Sequence, residues 1–164
     1  MLRDYDTLAR TVREQSRGVS DRERLMEIVA DAVWDAMHAQ GVSWAGFYTE
    51  VPGAPEDERL VLGPRRDTPA CSPIGLFGVC GAAYTSGTVQ TVTDVADLGP
   101  NYIACDPRDR SEIVLPLVDD AGRVWGVFDV DSHDLASFGA SDDAGFRAVL
   151  GAAGFTVPGA APAG

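Results

Sequence analysis

The sequence has no long apolar run. Nothing in it approaches the roughly 18 consecutive residues of a membrane-spanning helix. The opening "MLRDYDTLAR" lacks the apolar stretch of a secretory signal, so the expected compartment is the cytoplasm. Basic charge is scarce: Lys plus Arg is 13 against 25 Asp plus Glu, a formal net charge of −12. Such a surface repels phosphate backbones and anionic lipid, which argues against nucleic-acid and membrane-surface partners. No G-x-G-x-x-G loop, P-loop or G-x-S-x-G elbow is present, so nucleotide binding and Ser-His-Asp hydrolysis have no motif to support them. Cysteine is sparse and odd in number: Cys71, Cys80 and Cys105. That argues against a secreted disulfide scaffold. No C-x₂₋₄-C pair occurs, so the three cysteines with His133 make a poor case for structural zinc. In a reducing compartment such thiols are buried and inert, or redox-active.

What is present is enough for one domain. The 164 residues suffice to bury a core, and we expect one domain over 1–156 with a Pro/Gly-rich, disordered tail over 157–164. Tyr5, Leu8 and Val12 have helical spacing over 4–16. Over 20–40, Leu25, Ile28, Val29, Ala32, Val33 and Met37 share one helical face, and "SDRE" has the form of a capping box with Ser20 as the cap. From Val42 onward the period changes to two. Strands are predicted over 42–50, 59–63, 88–94 and in "SEIVLPLVD" and "GVFDVDS", the last two joined by a hairpin around "DDAG". The stretch 64–77 is broken by Pro64, Pro69 and Pro73, and 78–87 reads as a short helix closed by Gly87. A last helix carries Phe146, Val149 and Leu150, with Ser141 as its cap. This order predicts an α+β fold: a central antiparallel sheet with helices packed on one face and loops forming a ligand pocket on the other. The connection from Val95 to Arg110 is long, as functional loops often are.

The blocks "WAGFY", "LVLGP", "PAC", "GVCG", "IACD", "SEIVLPL" and "GVFDVDS" stand in an order that resembles the free methionine-(R)-sulfoxide reductases, which are single GAF domains. The resemblance runs from about Val42 to Phe146. It implies a thioredoxin-dependent oxidoreductase acting on the free amino acid, without a cofactor, and leaves a homodimer open. It implies that Cys105 attacks the sulfoxide, that Cys71 resolves the product and that Cys80 is an auxiliary thiol. It places Glu112, Asp129 and Asp131 in the pocket, with Trp44 near the substrate's S-methyl group. Tyr48, Ile103 and Ala104 complete the expected binding residues. Two departures mark this chain: Phe77 stands where the family pattern has a basic residue, and the segment from Cys71 to Cys80 is one residue shorter. On the residues alone, Cys71 and Cys80 both stay open as the resolver.

The chemistry explains why these residue types belong together. A thiolate attacks sulfur, and the departing oxygen needs a proton. A solvated carboxyl, with a pKa of about 4, has none to give at neutral pH. Burial and neighbouring carboxylates raise that value. Asp129 and Asp131 are two apart on a predicted strand and share a face, with Phe128 and Val130 on the core side. Glu112 opens the adjacent strand and completes the patch. The position of Cys80 near a helix N-terminus predicts a lowered thiol pKa. Each residue also has a plainer reading: a lone cysteine is most often a small buried hydrophobe, and Phe47 is core. A GAF domain that senses a small molecule or a thiol oxidant remains the alternative to the enzyme.

Overall fold

The computed structural model describes residues 2–67, 69–100, 102 and 104–159. Helix α1 (Tyr5–Gln15) starts at Asp4, whose carboxylate accepts the Thr7 backbone N–H at 3.0 Å. Helix α2 (Arg22–Met37) is capped by Asp21, which accepts from the Arg24 N–H at 3.1 Å. The cap is therefore not Ser20. A full negative charge at the helix N-terminus interacts more favourably with the orphan N–H groups than a hydroxyl does. One 3₁₀ turn, His38–Gln40, follows α2 and ends at Gly41, whose φ of 94° lies in the left-handed region.

Strands β1 (Trp44–Glu50), β2 (Leu60–Arg66), β3 (Gln90–Val92), β4 (Ser111–Val118) and β5 (Val124–Ser132) form one antiparallel sheet in the order β2-β1-β5-β4-β3. Strand β2 runs through Pro64 to Arg66, beyond the expected break at Gly63. It lies at the sheet edge, where proline costs no ladder bond on the open side. Between β4 and β5, Asp119 accepts the backbone N–H groups of Ala121 and Arg123, which closes the hairpin.

Alternation along the strands gives the sheet two faces. Ala45, Phe47, Ile113, Leu115, Leu117, Phe128 and Val130 point to one side and pack on α1, α2 and α4 (Ala140–Ala152). Phe47 and Phe128 pack tilted, with ring centres 4.8 Å apart, and Phe128 meets Phe146 edge-on at 5.8 Å. The cap of α4 differs from expectation. Gly139 occupies that position, Ser141 lies inside the helix, and Asp142 reaches back to accept the Gly139 N–H at 2.8 Å. Not every helix sits on this face. Helix α3 (Val79–Ser86) packs on the opposite one, against β4 and β5, with Trp44, Tyr48, Val114 and Val127. The segments 67–78 and 99–110 flank it, and the ends of the long loop are pinned where the Val95 N–H donates to the Arg110 carbonyl at 2.9 Å.

Helix α1 locks onto α4 through Tyr5, whose hydroxyl donates to Asp142 at 2.6 Å and whose ring meets Phe146 at 5.1 Å. Gly145 leaves room for that ring, because a Cβ there would overlap it. Gly145→Ala is therefore expected to destabilise the protein by about 1–3 kcal/mol. Urea unfolding followed by tryptophan fluorescence measures this, and an unchanged midpoint would contradict the packing described.

Candidate active site

Strand register builds the floor of the site. In β4 and β5, Glu112 lies opposite Asp131 and Val114 opposite Asp129. In β1, Trp44 lies opposite Asp131 and Gly46 opposite Asp129. All three carboxylates thus project from the face away from the aromatic core. One oxygen from each of Glu112, Asp129 and Asp131 lies within 4.8 Å of the others. Glu112 and Asp129 are buried, Asp131 partly so.

Two loops and α3 bring in the sulfurs. Cys71, from the segment after β2, and Cys105, from the long loop before β4, form a disulfide with a Cα–Cα distance of 5.6 Å. Cys80, in the first turn of α3, is a free thiol whose Sγ donates to Asp129 Oδ2 at 3.5 Å. Tyr48 Oη donates to the Cys71 carbonyl at 2.8 Å. A cavity of about 430 Å³ connects these groups and is lined by all three cysteines, Glu112, Asp129, Asp131, Trp44 and Tyr48. Its size is ordinary for a small-molecule site.

The expected site residues therefore meet on one cavity, with two exceptions. Ala104 is exposed and is not among the residues that line it. Ile103 lies outside the described residues. The cavity also takes in residues outside the expected set, two of them near Cys105. Tyr102 and Asp109 lie on either side of Cys105 on the same loop. Asp109 is buried and accepts from Ser43 Oγ at 3.1 Å. In sequence it looks like one more acid in a charged loop, and only its nearness to Cys105 set it apart. Phe77, 74% exposed, stands at the rim.

Desolvation dominates the electrostatics. Burial first, then the charge of Asp129, pushes Glu112 and Asp131 well above the usual carboxyl range. Burial raises Asp129 to about 7. Burial and the charge of Asp106 raise Asp109 to about 6. The Cys80 thiol is also pushed well up, by burial and then by Asp129, Glu112 and Asp131. The expected lowering of its pKa by the helix dipole is thus overridden. Trp44 Nε1, Glu112 Oε1 and Asp129 Oδ1 are buried with no hydrogen-bond partner among the described residues. One donor and two acceptors are thus available to a ligand in the same cavity, and each costs about 1–3 kcal/mol while unpaired. The three cysteines and His133 do not come together as a zinc set: two of the cysteines are bonded to each other, and His133 contacts carboxylates rather than sulfur.

A carboxyl with a raised folded-state pKa holds its proton more tightly folded than unfolded. Its stabilising effect is complete below the unfolded value of about 4 and is lost as pH rises through the folded one. Unfolding free energy is therefore expected to fall between about pH 4 and about pH 7, with Asp129→Asn flattening that slope. Chemical denaturation of both proteins across this range measures the difference, and parallel curves would contradict the assignment.

The model of the GAF domain family matches residues 19–157. Saccharomyces cerevisiae free methionine-R-sulfoxide reductase is 40% identical over 109 residues, 65% of this chain and 59% of that protein. The X-ray structure of free methionine-R-sulfoxide reductase from Neisseria meningitidis in complex with its substrate is 32% identical, with a TM-score of 0.80 over 91% of this chain and 85% of that one. The reduced form of the Staphylococcus aureus fRMsr is 27% identical, with a TM-score of 0.82 over 93% and 94%. The matched region spans 53% to 62% of the length of the first curated relatives. With the family model matched over most of the chain, and a five-stranded antiparallel sheet whose cavity face is set apart from its helical core, the chain belongs to the GAF domain family.

Proposed function

We propose that this chain reduces free L-methionine-(R)-sulfoxide to methionine. The observation that carries the reading is a bonded cysteine pair, Cys71–Cys105, bordering the same cavity as three carboxyls whose pKa values burial pushes upward. Sulfoxide reduction needs those two elements: a thiol to take the oxygen and an acid to protonate it.

In the reduced protein, the Cys105 thiolate attacks the substrate. The S–O bond breaks, the oxygen passes to Cys105 as a sulfenic acid with a proton from the carboxyl cluster, and methionine leaves. The Cys71 thiol then displaces water and forms the disulfide that joins the two residues. Thioredoxin returns the electrons by thiol–disulfide exchange in the cytoplasm. Thiols supply every electron, so the cycle calls for no organic cofactor. All the groups named belong to one chain, and the chemistry needs no homodimer.

The cavity's chemistry supports the free amino acid as substrate. Its described lining contains carboxylates but no Lys or Arg. An ionised member of the cluster pairs with an ammonium group, which methionine inside a polypeptide lacks. A substrate carboxylate would instead meet the backbone N–H groups that open α3 at Val79 and Cys80. Trp44 and Tyr48, with ring centres 6.0 Å apart, offer an apolar wall to the S-methyl group.

Incubating the protein with free methionine-(R)-sulfoxide and dithiothreitol, and measuring methionine, tests the reading. Turnover is expected for wild type and none for Cys105→Ser; equal, background rates for both would favour a sensing role. Cys71→Ser is expected to release about one methionine per protein and then stop when thioredoxin is the only reductant. Full thioredoxin-coupled turnover by that variant would move the resolving role to Cys80.

A further inference from the structure

The reaction leaves Asp109 and His133 without a role. Asp109 lies four residues past Cys105 and lines the cavity, and His133 follows the last residue of β5. His133 Nε2 is 3.6 Å from Asp109 Oδ1 and 3.0 Å from Asp106 Oδ2. Its side chain is 40% exposed, while those of both aspartates are 9% exposed. The imidazole therefore touches solvent on one side and a buried, cavity-lining carboxyl on the other. We propose that His133 and Asp109 form the path by which solvent protons reach the carboxyl cluster during reduction. This rests on the reductase reading above.

The need for a path follows from the proton balance. When a cluster carboxyl protonates the leaving oxygen, it becomes a carboxylate beside two other acids. A substrate seated between the cysteines and the floor would displace the water that could otherwise reprotonate it from the mouth. The carboxylate takes a proton from Asp109, Asp109 from His133 Nε2–H, and His133 from solvent at Nδ1. The balance closes because Cys105 releases its thiol proton to solvent before the substrate seats, so that one proton leaves the cavity and one enters by this path. The sulfoxide sulfur gains two electrons and the Cys105 sulfur loses two. Condensation with the Cys71 thiol then releases water, and an external dithiol restores both thiols.

The two aspartates beside His133 are not equivalent. Asp106 is held well below the usual carboxyl range, first by hydrogen bonds from the Arg108 side chain, at 2.9 and 3.0 Å. It stays ionised and fixes the ring. Asp109 has no such clamp; Ser43 alone among the described groups donates to it. Its pKa, raised to about 6, suits a group that both takes and gives a proton near neutrality. The groups that face Asp109 are Asp106, Arg108 and His133 on the solvent side, and Tyr102, Glu112, Asp129 and Asp131 across the cavity. A small swing of the imidazole, away from Asp106 and toward Asp109, completes the transfer.

The test is single-turnover release of methionine from fully reduced protein, which reads the chemical step and not recycling. For His133→Gln, the rate at about pH 8 is expected to fall roughly tenfold or more, within the range of proton-transfer contributions. The loss should shrink at about pH 6, with substrate affinity unchanged, and added imidazole should restore the rate. Asp109→Asn, which keeps an acceptor for Ser43, should be slow at both pH values and unresponsive to imidazole. A His133→Gln profile parallel to wild type, or a loss confined to affinity, overturns the path while leaving the reductase intact. A wild-type protein with no reductase activity overturns both.

Discussion

The register between β4 and β5 is the constraint on which the site depends. Glu112 faces Asp131 across that ladder, and both neighbour Asp129 on the same side of the sheet. A slip of β5 by one residue would turn Asp129 and Asp131 into the aromatic layer, away from Glu112, and push Phe128 and Val130 out of it. The cost of that exchange is what holds the acids together. The apolar face of the sheet, packed against three helices, thus enforces an arrangement of charge that the acids alone would resist. Packing on one side specifies chemistry on the other.

Desolvation then gives the cluster its character. In water these side chains would be three independent anions. Behind α3 and the two loops burial raises all three pKa values, so in the proposed reaction one member can donate a proton while another balances the substrate's ammonium group. The same environment explains Cys80. Its place in the first turn of α3 would favour a thiolate, yet burial beside Asp129 pushes its pKa up. A free, buried Cys80 and a disulfide between the other two cysteines set three chemically identical residues apart by surroundings alone.

Much of this was legible in the sequence because it depends on short-range pattern. Alternation in "GVFDVDS" placed Asp129 and Asp131 on one face, and helical spacing in 20–40 marked Ile28, Val29, Ala32, Val33 and Met37, though Met26 and not Leu25 joins them in the core. The misreadings have a common cause: the deciding interaction is not local. Pro64 stops a strand only if the strand is internal, and its edge position is set by the whole sheet. Asp21 was preferred to Ser20, and Gly139 with Asp142 to Ser141, by where each helix begins against its neighbours. Ala104 borders Cys105 in sequence but faces outward, whereas Asp109, more distant along the chain, turns in. Within a loop, no periodicity tells which side chains face inward.

The hydrogen bond from Tyr48 to the Cys71 carbonyl bears on how quickly the proposed cycle can close. It ties the peptide of Cys71 to β1 through a backbone atom, so it need not break when the sulfur bond opens. A tethered partner presents itself at a high effective concentration, far above that of any thiol diffusing in from outside. An oxidised Cys105 would thus be captured by its own chain before small cellular thiols or further oxidation could reach it.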